Sequence, residues 1–195
     1  MCKKMVKYIW KHLESIKGDF IMNFEFKKDD LVVYGKNGIC TIEDIKRMNF
    51  AGDTDDYYIL KPKSNSGSTL YVPKSNEKLV SKLRGLLTKN EIDAILTSCS
   101  NEEEISWPNT KNERHELFAG ILSECDSKEL LKLIRCIYLK KQERKSLGKD
   151  LASGDENVLK TAQRLIEEEF SAALNCSAEE VSKYISERLS SKLDK

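Results

Sequence analysis

The sequence has two histidines, His12 and His115, and none of its six cysteines stands in a Cys-x-x-Cys pair. Zinc ligation therefore lacks its ordinary spacing. Cys2, Cys40, Cys99, Cys125, Cys136 and Cys176 read as reduced thiols packed as small apolar groups. A nucleophile–histidine pair would have to use His12, in the N-terminal leader, or His115, in a charged stretch. No Gly-Lys-Ser/Thr follows a strand, which removes a P-loop. No apolar run approaches the ~20 residues of a membrane span. Lys7, Lys11, His12, Glu14 and Lys17 interrupt the apolar residues near the N-terminus, so no signal-peptide core forms. An excess of charge is missing as well: 33 basic residues meet 32 acidic ones, for a net +1. That argues against a polyanion binder held by global charge and leaves room for a local basic patch. These absences point to a cytoplasmic protein that is not an enzyme and uses no cofactor, metal or small-molecule substrate.

What is present begins at Phe26. The runs Val32-Val-Tyr34, Ile39 to Ile45, Tyr57-Tyr-Ile-Leu-Lys61 and Leu70-Tyr-Val72 are β-rich and separated by Gly, Asn, Asp and Ser clusters, the pattern of an antiparallel meander. Gly35-Lys-Asn-Gly38 turns the first run, because Asn-Gly accepts the positive φ of a tight hairpin. From Ile39 to Ile45 neither parity is cleanly polar, so both faces are expected to be partly covered. Asn49 to Asp56 and Ser64 to Ser68 read as loops, and Pro73 ends a strand or marks an edge.

Leu31-Val-Val-Tyr-Gly-Lys-Asn-Gly-Ile39, Asp56-Tyr-Tyr-Ile-Leu-Lys61 and Leu70-Tyr-Val-Pro73, in that order, resemble the RNA-polymerase-interacting domain of the CarD/CdnL family of bacterial transcription regulators. The same small module occurs in transcription-repair coupling factors. The resemblance implies a small, half-open, five-stranded Tudor/SH3-like β-barrel-like domain that binds the RNA polymerase β subunit. The matching surface positions are Arg47, Met48, Lys61 and Tyr71. Well-known relatives carry arginine at the positions of Met48 and Tyr71, and Arg47, one residue away, is placed to substitute. Edge strands offer unpaired backbone groups to a partner strand; the alternative is an edge capped by the rest of the chain.

The residues before the module include Val6, Ile9, Trp10, Leu13 and Ile16 at helical spacing. Lys17-Gly-Asp19 can be encoded by a ribosome-binding sequence, and the family-like stretch starts just after Met22. Residues 1–21 are therefore expected to be a leader outside the native product, 22–83 the β domain and 84–195 a helical domain.

From Thr88 the apolar period changes from two to 3.6. Thr88 with Glu91, Thr110 with Glu113, Asp126 with Glu129, Ser153 with Glu156 and Ser177 with Glu180 each precede an apolar stripe and read as helix caps. The fold expected is α+β, an N-terminal antiparallel sheet followed by an all-α domain. The resemblance extends here through Trp107, the helix ending in Lys140-Lys-Gln-Glu-Arg144 and the Ser153 to Phe170 helix.

Trp107 precedes Pro108 and falls on no periodic core face. Sequence alone leaves core packing and exposed contact both open for it; the resemblance implies an exposed wedge against promoter DNA. Lys111, Arg114, Lys140, Lys141, Arg144 and Lys145 are the candidate phosphate contacts, each with a solvated face as its alternative. The acidic runs Glu102–Glu104 and Glu167–Glu169 read as a solvated loop and a helix face. Together these readings give a monomeric transcription regulator whose partners are RNA polymerase and promoter DNA, acting at the upstream edge of the bubble to stabilise the open complex. The rivals are a protein-only adaptor and a fragment of a coupling factor.

Overall fold

The computed structural model describes residues 25–190 apart from 51, 66 and 100–103. The leader, its helical pattern and the Met22 start lie outside those residues. Five strands come first: β1 (Leu31–Tyr34), β2 (Ile39–Phe50), β3 (Asp53–Pro62), β4 (Leu70–Pro73) and β5 (Leu83–Gly85), with a short helix α1 (Glu77–Val80) between the last two. They form one antiparallel sheet in the order β4-β3-β2-β1-β5, open between β4 and β5.

The β1–β2 turn falls where expected, but the positive φ is on the two glycines and not on Asn37, and Gly35–Asn37 form a single 3-10 turn. Gly35 (φ 48) and Gly38 (φ 68) both adopt positive φ, and Tyr34 N–H donates to the Gly38 carbonyl at 3.0 Å. The Asn49 to Asp56 loop, in contrast, is mostly strand. β2 and β3 pair out to Phe50 and Asp53, so the two strands are separated by a short turn. Asn49 makes this possible: its side chain accepts from Gly52 N–H (3.2 Å) and donates to Thr54 Oγ1 (3.0 Å), so the Gly-Asp-Thr cluster tightens the turn without breaking the ladder. Val32, Cys40, Ile42, Tyr58, Leu60, Val72 and Leu83 bury one face. Val33 points the other way and joins the helical core, which explains why β1 and the start of β2 show no polar parity.

The helices follow: α2 (Lys89–Cys99), α3 (Lys111–Glu124), α4 (Ser127–Ser146), α5 (Ser153–Leu174) and α6 (Ala178–Ser190). The pairs Thr88/Glu91, Thr110/Glu113 and Ser177/Glu180 close reciprocal caps, and Asp126 accepts from the N–H groups of Lys128 and Glu129. The expected Ser153 cap is displaced by one residue: Ser153 is the first helical residue, and Ala152 occupies the capping position with no side chain to accept. Ile92, Leu96, Phe118, Leu130, Leu133, Ile137, Leu159, Ala162, Leu165, Ile166, Phe170 and Val181 fill the core between the helices. Full burial of such side chains contributes roughly 1.5–3 kcal/mol apiece, and α4 packs chiefly on α5. Among the described residues, no helix is long and apolar enough to cross a membrane.

Candidate functional site

Strand register decides which of the sheet's candidate residues share a face. Met48 lies opposite Asp55, Thr41 opposite Lys61 and Tyr71 opposite Ile59. Since partners across a ladder point the same way and side chains alternate along a strand, Met48, Lys61 and Tyr71 occupy one face, the one turned away from the sheet core. Arg47 lies opposite Asp56 and has the opposite parity. It is exposed near the hairpin tip, beside Asp55, whose carboxyl is held below the usual range chiefly by the hydrogen bond from the Ser75 hydroxyl, with Arg47 a minor contributor. Lys61 is half-buried and pairs with Glu43 at 3.4 Å, the residue extruded by a bulge between Ile42 and Asp44.

The outer face carries a group that the sequence reading did not single out. Phe50 and Tyr71, 44% and 46% exposed, stand edge to face with ring centroids 5.6 Å apart, and Phe50 meets Tyr57 in the same manner at 5.2 Å. Reading Asn49 to Asp56 as a loop hid Phe50; the β-forming Thr54, Tyr57 and Tyr58 were the available signal. β4, which carries Tyr71, is an edge strand. The face therefore combines aromatic anchors with a row of backbone groups facing no further strand, both of which suit protein recognition.

On the helical side, Trp107 is half-buried. Its indole meets Phe118 edge-on at 5.8 Å, and it packs against the helical core. The Arg114 guanidinium sits 4.9 Å from the ring centroid and the Lys140 ammonium 5.8 Å from it. Trp107 thus has an anchored edge and a cationic surround. Beside it runs a groove of about 300 Å³ lined by Glu104, Ile105, Cys136, Leu139 and Glu143, among others.

The structure brings Arg114, Lys140, Lys141 and Arg144 to the region between α3, the second half of α4 and the start of α5, but mostly as paired charges. Arg114 bonds Asp155 at 3.0 Å, Lys140 bonds Glu143 at 2.8 Å and Lys141 bonds Glu156 at 2.8 Å. Arg144 Nε donates to the Asp150 carbonyl at 2.6 Å. Lys111 and Lys145 are exposed. Of the Glu102–Glu104 run, only Glu104 is described; it pairs with Arg135 at 2.7 Å.

A third constellation joins sheet to helices. Glu169, in the acidic run read as a helix face, is only 2% exposed and binds Arg84 of β5 through both carboxylate oxygens. Arg84 Nη2 also donates to the Cys125 carbonyl (3.0 Å) and Ser127 Oγ (3.3 Å), and Ser127 Oγ donates to Glu169 Oε2 (2.7 Å). Burial disfavours the guanidinium charge, but bonding and attraction from Glu169 outweigh it and the Arg84 pKa rises. Close by, Arg164 bonds Glu168 (2.7 Å) and reaches the Lys36 carbonyl in the hairpin turn (3.3 Å). Glu168 Oε2 lies against Gly38, so close that a Cβ there would meet it at 2.5 Å.

No curated protein matches the chain. Residues 26–84, from Phe26 at the edge of the sheet core to Arg84 in β5, match the family model described as the CarD-like/TRCF RID domain, and this part of the chain is similar to the RNA-polymerase-interacting domain of that family.

Proposed function

We propose that the protein is a transcription regulator that docks on the RNA polymerase β subunit through the outer face and β4 edge of its sheet. Its helices then lie against promoter DNA at the upstream edge of the bubble and stabilise the open complex. The observation that carries the reading is the family match, which covers all five strands up to Arg84 and supports a polymerase-interacting role for the sheet. The free β4 edge beside Tyr71 and Phe50 supports docking by strand addition reinforced by aromatic contacts.

The DNA-facing half rests on Trp107 and its cations. An indole with one edge anchored on Phe118 can press its remaining surface into a minor groove where base pairs are already distorted. On this reading Arg114 and Lys140, which flank the ring, exchange their carboxylate partners for the flanking phosphates, and such contacts weaken as salt rises. A base–aromatic contact contributes ~1–3 kcal/mol, so Trp107→Ala shortens the open-complex lifetime by about tenfold or more while leaving polymerase binding intact. Reversing charge at Arg47 together with Tyr71→Ala weakens binding to the β subunit without unfolding the sheet, since both side chains are exposed. Unchanged β-subunit affinity in that double variant would refute the proposed face.

A second reading, the protein-only adaptor, is favoured by the carboxylates that already neutralise Arg114, Lys140 and Lys141. A folded Trp107→Ala variant with wild-type open-complex lifetime selects the adaptor.

A further inference from the structure

We propose that Arg84 and Glu169 are positioning residues that hold the helices in one orientation on the polymerase-interacting sheet. The sheet and the helices also touch through apolar side chains, Val33 in the helical core and Leu165 against Gly38. Apolar contact is non-directional and tolerates sliding. The Arg84 guanidinium does not. From one strand it engages the Cys125 carbonyl at the C-terminal end of α3, Ser127 at the first residue of α4 and both carboxylate oxygens of Glu169 in α5. Ser127 closes the triangle onto Glu169. A planar fork with fixed donor directions satisfies these acceptors in a single arrangement.

Stability is a poor explanation for the pair. Glu169 is buried and the Arg84 side chain keeps 33% of its surface exposed; taking such charges out of water offsets much of their attraction, and apolar replacements of similar volume are often neutral or better. What a satisfied network supplies in some proteins is a unique geometry. Arg84 is also the last residue of the family match, so the network stands where the polymerase-interacting module hands over to the helices. The orientation that it fixes determines where Trp107 and its cations sit once the sheet is docked.

The test compares the parent, Arg84→Met/Glu169→Met and Arg84→Lys. Lysine keeps the charge but cannot reach all the acceptors at once. Backbone residual dipolar couplings are measured in aligned samples and fitted separately for the sheet and for α3 to α5. The parent is expected to give one common alignment tensor. Both variants are expected to give two tensors, with the helical one reduced in magnitude. The denaturant midpoint of the double variant is expected to equal or exceed the parent's, whereas Arg84→Met alone lowers it by leaving the buried Glu169 charge with the Ser127 hydroxyl but no cation. One common tensor in the double variant, with a lowered midpoint, overturns the proposal and makes the pair merely stabilising. If the double variant does not fold, Arg84→Lys decides alone, and a single common tensor in it overturns the proposal. A functional arm rests on the reading under Proposed function: variants with two tensors should bind the β subunit normally and lose the effect on open-complex lifetime. Two tensors with an unaltered lifetime keep the positioning role and overturn the DNA-facing reading instead.

Discussion

Gly38 shows how a single residue serves both local and distant demands. Its φ of 68° is required by the hairpin turn, and the missing side chain leaves room for Glu168 and Leu165 of α5. Gly38→Ala introduces strain at positive φ and a Cβ 2.5 Å from Glu168 Oε2. The carboxylate can shift, but it would give up packing against the turn. A loss of roughly 1–3 kcal/mol is expected, read as a lowered denaturant midpoint. Gly52 makes the contrast: its φ is 98°, but nothing lies within 4 Å of its Cβ position, so Gly52→Ala tests backbone strain alone and should cost less. An equal loss at the two positions would show that the close approach at Gly38 is unimportant.

Among the elements, the helices differ in how their first turns are satisfied. α3 has the full reciprocal arrangement of Thr110 and Glu113, whereas α5, the longest helix described, begins at Ser153 behind Ala152, which offers no side-chain acceptor. Thr110→Ala is expected to cost about 1 kcal/mol. Ala152→Ser should add ~0.5–1 kcal/mol, because Ala152 already has the extended backbone of a cap and its side chain is exposed. Urea titrations of the two variants against the parent measure both. A stabilising Thr110→Ala, or a destabilising Ala152→Ser, would contradict the assignment of helix starts. The long β2–β3 hairpin carries the complementary lesson: a polar cluster that looks like a loop remains strand when its side chains bond the turn internally.

For the whole molecule, two buried thiols connect stability to pH. Burial, with Glu168 adding to it, pushes the Cys40 thiol up to about 11, and burial pushes Cys125 up to about 11 against the opposing effect of Arg84. Both groups hold their proton more tightly folded than unfolded. Their contribution is therefore complete below the unfolded thiol value, ~8.5, and is lost as pH rises towards 11. The denaturant midpoint should fall over that interval, more steeply in the parent than in a Cys40→Ala/Cys125→Ala variant. Parallel pH profiles would show that the thiols are not buried as described. Cys40 lies in the sheet core and Cys125 at the sheet–helix junction, so the two thiols report on different parts of the molecule.

Residue order alone specifies what depends on neighbours a few positions apart. The Gly-Lys-Asn-Gly turn, the period change at Thr88 and four of the five helix caps are interactions closed within three or four positions, so residue order specifies them. The polymerase-interacting module was legible for the same reason, as three short motifs in order. Only the tertiary structure decided what depends on residues far apart. Arg84 and Glu169 are separated by 85 positions; spacing from Ala162, Leu165 and Ile166 puts Glu169 on the apolar face of its helix, but nothing local names the partner that satisfies it there. The Phe50–Tyr71 contact exists because β3 lies between their strands and brings them to one face, and Trp107 is anchored because α3 presents Phe118 to it. Cap and turn chemistry is written in adjacent side chains; burial and charge pairing are set by which segments the folded core brings together.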